Sequence, residues 1–169
     1  MDKEEYTRIV KKYYDDIKRV AFAGCNNIYD AEDVAQAVFL KLLRHSDEFD
    51  DEDHLKKWLI RVAVNESRSL WRSPWKTKVD FFVPENIMSQ RGTERRNPLV
   101  IEAVQSLKQK YREVVHLFYY EEYNAKEISE LLGISENTVF KRLQRARDQI
   151  KKHLSNNCYY VEREGEQYG

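Results

Sequence analysis

Glycine and proline are scarce in this chain of 169 residues, which holds 5 Gly and 3 Pro. That excludes a sandwich or barrel, whose many tight turns draw on both residues. Cysteine is nearly absent. Cys25 and Cys158 have no CxxC spacing and cannot form a disulfide scaffold, so a reduced, cytoplasmic setting is expected. Long apolar runs are missing too. The longest, such as Val20-Ala21-Phe22-Ala23, fall far short of the roughly 18 residues of a membrane span. The charged start Met1-Asp2-Lys3-Glu4-Glu5 leads into no apolar stretch, so no secretory signal is expected. Finally, there is no net charge, because 29 basic residues meet 29 acidic ones. A polycation that coats nucleic acid is excluded, and any basic site must be local.

Chemistry-bearing motifs are absent as well. The sequence has no Walker loop, no dinucleotide-binding glycine fingerprint and no nucleophile elbow. His45, His54, His116 and His153 lack metal-ligand spacing and read as structural or solvated. The acidic run Asp47, Glu48, Asp50, Asp51, Glu52, Asp53 lacks the glycine and terminal Glu of an EF-hand loop. It reads more simply as a helix N-terminus. No enzyme, cofactor or metal is expected.

What is present is helical. Hydrophobic residues make up 41% and charged residues 34%, with a mean hydropathy of −0.78, which suits long solvated helices around real cores. Pro74, Pro84, Pro98 and Gly92 gather in one stretch without sustained helical period. Residues 74–98 therefore read as an irregular linker between two helical blocks. Trp75, Phe81, Phe82 and Val83 suggest that part of it docks, either on its own domains or on a partner.

The first block, 1–73, reads as three helices. Tyr6, Ile9, Val10, Tyr13, Ile17, Val20 and Ala21 form one apolar face. Asp30 can cap a second helix to about His45, with Val34, Ala35, Val38, Leu42 and Leu43 as its core stripe. Ser46 to Asp53 is an acidic turn, and Asp53 can cap a third helix to about Arg72. On that helix Leu55, Leu59, Val62, Ala63 and Leu70 share one side. Arg61, Asn65, Arg68 and Arg72 share a narrow arc opposite, flanked by Trp58. Such a strip suits a nucleic-acid backbone and a stacked base. An ordinary solvated face is the alternative at this point.

The second block, 99–155, opens with Val100, Ala103, Val104 and Leu107, and Tyr111, Val114, Val115, Phe118 and Tyr119 continue the period. Asn124 and Glu127 make a capping-box-like start, with Ile128, Leu131 and Leu132 behind it. Gly133 stands where a left-handed C-cap is needed, and Ser135 caps a new helix with Val139, Leu143, Ala146 and Ile150 buried. Helix, short glycine turn, helix is the helix-turn-helix pattern. Between 136 and 152, six basic residues against two acidic ones give a local charge of +4. That is an electrostatic footprint for phosphates. Residues 156–169 form an acidic tail, expected to fray. The fold class is all-α, two small helical domains joined by the linker, with the helix-turn-helix in the second.

Both blocks together resemble one family. Asp30-Ala-Glu-Asp-Val-Ala-Gln-Ala-Val-Phe-Leu-Lys-Leu and Leu55-Lys-Lys-Trp-Leu-Ile-Arg-Val-Ala-Val-Asn resemble region 2 of the extracytoplasmic-function (ECF) sigma factors of bacterial RNA polymerase. Glu127 to Arg147 resembles their region 4. The resemblance covers about residues 4–155. It implies a transcription initiation factor that is not an enzyme and that binds core RNA polymerase. Glu32, Asp33, Gln36 and Phe39 would dock on the polymerase, although Phe39 alone reads equally as core packing. Trp58, Arg61, Asn65, Arg68 and Arg72 would meet the minus-ten element and its melted non-template strand, with the preceding acidic loop forming part of a pocket for an extruded base. Asn137, Thr138, Phe140, Lys141, Arg142, Gln144 and Arg145 would meet double-stranded promoter DNA at the minus-thirty-five element. Arg142 and Arg147 suit phosphates or intramolecular pairs. Phe140 departs from the family, where a basic residue is common, and suits a thymine methyl instead. The resemblance further implies an anti-sigma factor partner, often membrane-anchored, a role in stress response, and a monomer when free. A stand-alone helix-turn-helix regulator, dimeric on palindromic sites, is the alternative.

Overall fold

The structure is a computed structural model that describes residues 1–45, 48–71 and 97–166, without the side chains of residue 71 and residues 158–166. Arg72 and almost all of the expected linker 74–98 lie outside the described residues. Among the described residues there are seven helices and no strand.

The first three helices are α1 (Lys3–Cys25), α2 (Ile28–Leu43) and α3 (Glu52–Trp71). Helix α1 starts where the Asp2 carboxylate accepts from the Glu5 N–H at 2.8 Å. It stops at Asn26, whose φ of 55° is the left-handed conformation that Asn tolerates. Helix α2 begins earlier than Asp30. Asn27 is its cap, accepting from the Asp30 N–H at 3.0 Å, so Asp30 sits in the first turn. Asp51 rather than Asp53 closes the start of α3, accepting from the His54 N–H at 2.7 Å. Asp53 pairs instead with Lys57 one turn on, at 2.7 Å.

The second block holds α4 (Pro98–Ser106), α5 (Gln109–Tyr119), α6 (Ala125–Leu132) and α7 (Glu136–Glu166). Asn97 caps α4 and Pro98 opens it, where a missing N–H does no harm. The apolar period across 100–119 is broken at Leu107 and Lys108, both extended. The Arg112 guanidinium donates to the Leu107 carbonyl and fixes that break. Helix α7 runs through the expected fraying tail to Glu166. Its sequence offers no proline and no glycine before Gly165, so nothing stops it.

The two blocks are not independent. One core cluster joins Ile17, Val34, Val38, Leu42 and Leu59 of the first block to Val114, Leu117, Ile128, Leu131, Val139 and Leu143 of the second. Helix α1 packs on α5, and α3 on α6. This explains why α3 buries a wider stripe than a lone three-helix domain would need. Ile60 and Val64 are buried beside Leu59 and Ala63, while Val62 and Leu70 are only half-buried. A second, smaller cluster of Leu107, Tyr111, Val115 and Ala146 holds α5 to α7.

Candidate nucleic-acid interface

The helix-turn-helix is pinned by its caps. Asn124 and Glu127 exchange hydrogen bonds at 3.0 Å each way, a complete capping box. Gly133 takes a φ of 64° and the Ile134 N–H returns to the Ser129 carbonyl at 3.1 Å. Ser135 then accepts from the Thr138 N–H at 3.1 Å and starts α7. Val139 and Leu143 lock α7 against α6. The result is a solvent face made of Asn137, Phe140, Lys141, Gln144 and Arg145, spaced i, i+3, i+4, i+7, i+8. Phe140 is 57% exposed, an apolar ring in the middle of a cationic face.

Three other residues of this helix are partly committed inward. The Thr138 hydroxyl is 2.8 Å from that of Ser135 and serves the cap. Arg142 is half-buried. Arg147 donates to the Tyr119 hydroxyl at 2.8 Å and lies over the Phe118 and Tyr119 rings, an intramolecular role. Arg145 also reaches the Tyr111 phenol, whose pKa its hydrogen bond holds below the ordinary tyrosine value.

Helix α3 presents the second basic strip. Arg61 and Asn65 are exposed. Trp58 is half-buried in an aromatic group, 4.8 Å from the His45 ring and 5.7 Å from that of Phe49, between ring centroids. Phe49 also stacks on His45 at 4.9 Å and meets His54 edge-on at 5.5 Å. The aromatics at 45 and 49 were not expected from sequence, because they flank a loop with no period to read. Arg68 is turned away from solvent. Its guanidinium reaches Glu113 with Nη2 to Oε2 at 2.9 Å and donates to the Leu132 carbonyl at 3.3 Å.

Beside the aromatic group lies a cleft of about 600 Å³, bounded by Arg8, Tyr13, His45, Glu48, Phe49 and Asp51. Its carboxylates differ in commitment. Glu52 accepts from Lys12 and, at 2.5 Å, from the Tyr13 hydroxyl. Burial first, then Glu52, raises the Tyr13 pKa well above its usual value. The two hydrogen bonds hold the Glu52 carboxyl below the carboxylate range. Asp51 caps α3, Asp50 lies 3.3 Å from His54 and Asp53 pairs with Lys57. Glu48 is left exposed and without a partner among the described residues of the loop.

Helix α2 carries a third surface. Asp33 and Gln36 are exposed, and Glu32 sits loosely 3.5 Å from Lys18. Phe39 belongs to the core. It is 3% exposed and stacks on Tyr14 at 6.0 Å, so it offers nothing to a partner. The neighbouring register replaces it. Tyr29, Leu40 and Leu43 are 75, 52 and 57% exposed and share an arc with Asp33 and Gln36. Their spacing of 4, 3, 4 and 3 could have been seen in the sequence as a second apolar stripe.

The described residues thus present three separate solvent faces: the face of α7 with Lys141 and Arg145, the α3 strip of Arg61 and Asn65 beside the aromatic cleft, and the exposed apolar strip of α2. Comparison with known proteins gives the family. Residues 9–77 match Sigma-70 region 2, and residues 99–150 match Sigma-70, region 4. The chain is 28% identical to the ECF RNA polymerase sigma factor SigW of Bacillus subtilis, with 90% of each chain covered. It is 30% identical to the RNA polymerase sigma factor HrpL of Pseudomonas syringae, over 76% of this chain and 75% of that one. The same fold is found in the sigma factor RpoE of Bartonella quintana, solved with the anti-sigma factor NepR (TM-score 0.73, 19% identity, 90 and 98% covered). It recurs in CnrH, solved with the cytosolic domain of CnrY (TM-score 0.64, 21% identity, 92 and 90% covered). The chain belongs to the ECF group of RNA polymerase sigma factors. It is therefore a transcription initiation factor and not an enzyme, and the match to region 2 disfavours a stand-alone regulator. No helix of the described residues is long and apolar enough to cross a membrane.

Proposed function

We propose that the three solvent faces divide the work of initiation between them. The strip Tyr29, Asp33, Gln36 and Leu40 on α2, with Glu32 at its edge, docks on core polymerase. Arg61 and Asn65 engage the minus-ten element, the cleft beside Trp58 and Phe49 takes an extruded base, and Glu48 accepts from its exocyclic amine. Asn137, Phe140, Lys141, Gln144 and Arg145 enter the major groove at the minus-thirty-five element, with Arg142 toward the phosphates. Phe140 contacts a thymine methyl there.

The observation that carries this reading is the separation of the faces, with each face's exposed residues sharing one helical arc. The chain acts in the cytoplasm as a monomer and is held in check by an anti-sigma factor, as the structural relative RpoE was solved with one. A stress response is the expected setting. The test is transcription in vitro from fragmented genomic DNA by sigma-free core polymerase, with RNA 5′ ends mapped. New starts sharing two upstream motifs at fixed spacing support the reading, and their absence refutes it. Arg61→Ala with Asn65→Ala should impair promoter opening and leave core binding intact. Arg145→Ala should lose roughly 1–3 kcal/mol of discrimination at the upstream element; equal loss on all sequences would make it a phosphate contact.

A further inference from the structure

The N-terminal half of α1 carries a cationic stripe, separate from the faces of α2, α3 and α7. Lys3, Thr7 and Lys11 stand four residues apart, flanked by Arg8 and Lys12. The rise of the helix sets successive members about 6 Å apart along its axis. All five are exposed. They line a shallow groove of about 790 Å³ in which four cations meet a single carboxylate, that of Glu4. In a chain without net charge this is a local excess, as on α7. Lys12 is committed to Glu52 of α3. Among the described residues, Lys3, Arg8 and Lys11 have no ion pair. The Thr7 hydroxyl donates back to the Lys3 carbonyl at 2.8 Å, so this small side chain leaves the stripe open between its two lysines.

The stripe is continuous with the aromatic cleft. Arg8 and Lys12 line both. The cleft offers the rings of His45 and Phe49 to a base, but its loop side carries the carboxylates of Glu48, Asp51 and Glu52. Those carboxylates repel phosphates, so a nucleotide seated there must keep its backbone on the other side. The lysine and arginine side chains that border the cleft, Arg8 and Lys12, both come from α1. We propose that Lys3, Arg8 and Lys11 form a phosphate track on α1 for the single strand that continues beyond the base held in the cleft. The inference rests on the reading of the cleft as the pocket for an extruded base. The labour is divided as elsewhere in single-strand binding, with rings for the base and cations for the backbone. Lysine suits the second task, because a point charge on a flexible stem follows a backbone without demanding one geometry. Continuity with a stacking surface favours DNA over an acidic protein segment, which has no use for one.

The test uses the full chain and a fluorescein-labelled oligothymidylate of about 16 nucleotides. Binding is followed by fluorescence anisotropy between about 50 and 200 mM salt. Lys3→Gln with Lys11→Gln removes two cations of the track and keeps good helix formers. This variant should bind roughly fivefold more weakly than the parent, and its slope of log affinity against log salt should be shallower by about 1.4, or about 0.7 per phosphate. Lys108→Gln with Lys110→Gln makes the same charge change at exposed positions at the start of α5, and should leave both values nearly unchanged. Equal losses in the two pairs would reduce the stripe to part of the chain's general field. No loss in the α1 pair would leave the stripe to an acidic protein. Either result overturns the track. Circular dichroism confirms folding of each variant. Phe49→Leu removes a ring of the cleft and reports separately on the base pocket. Undiminished binding by that variant refutes the pocket, whatever the lysine pair shows, so the two failures are distinguishable.

Discussion

Two single residues carry backbone or steric demands with measurable outcomes. Glu122, between α5 and α6, has a φ of 60°, a conformation that costs an L-residue with a Cβ about 1–2 kcal/mol. Nothing in its chemistry calls for glutamate there, since it is exposed. Glu122→Asn should raise the urea midpoint, with a gain of about 0.5–1 kcal/mol because Asn visits this region more readily. Gly24 shows the opposite constraint. A Cβ there would lie 2.6 Å from the Ser67 Cβ, where α1 and α3 touch. Ser67 is buried and its hydroxyl is tied to the Ala63 carbonyl at 2.8 Å, so it cannot swing aside. Gly24→Ala should destabilise by about 1–3 kcal/mol through overpacking. Thermal unfolding with no change in midpoint would show that the helices can part at no cost.

At the level of elements, α2 separates what burial uses from what a partner can use. Val34, Ala35, Val38, Phe39 and Leu42 face inward, and Tyr29, Leu40 and Leu43 face out. The outward set shares one arc of the helix and is the docking surface proposed above. Leu40→Glu should leave the melting temperature almost unchanged and weaken core polymerase binding roughly tenfold, about 1.4 kcal/mol. Undiminished binding in a pull-down titration would move the docking surface elsewhere. The same helix shows what sequence could and could not convey. Its existence followed from period, but two capping residues, Asn27 and Asp30, stood three apart, and local chemistry does not choose between them. The family pattern pointed to Phe39, whereas the core stripe of Val38 and Leu42 already implied that a residue one register away would be covered. The helix-turn-helix was readable nearly to the residue, because Asn124, Glu127, Gly133 and Ser135 each satisfy a distinct local demand. The break at Leu107 and Lys108 was not, since it depends on Arg112 rather than on a glycine or proline.

At the scale of the whole molecule, the seam between the halves was the least readable feature, because Arg68–Glu113 and Arg112–Ala23 join residues 45 and 89 positions apart. No local pattern encodes such pairs. The seam has a pH signature, centred on Glu121. Burial alone pushes its carboxyl up, but His116 at 3.6 Å and Lys56 at 3.0 Å outweigh burial and bring its pKa down to about 2. Tyr123 is the other titratable neighbour, its phenol pushed up to about 12 by burial and then by the Glu121 charge. A carboxyl depressed in the fold binds its proton more readily when unfolded. Its contribution is therefore full above the ordinary value of 4.5 and drains away as pH falls toward about 2. The shift corresponds to something on the order of 3 kcal/mol. The parent chain should thus lose stability steeply below about pH 4.5, and the advantage of the parent over Glu121→Gln should shrink between about pH 5 and pH 2. Because Lys56 belongs to α3 and Glu121 follows α5, acid should part the halves before it melts either one. Urea titrations of both proteins across that range, read beside X-ray scattering, check the two statements together. A constant difference between them would show that Lys56 and His116 do not hold the Glu121 charge, and that the seam closes without it.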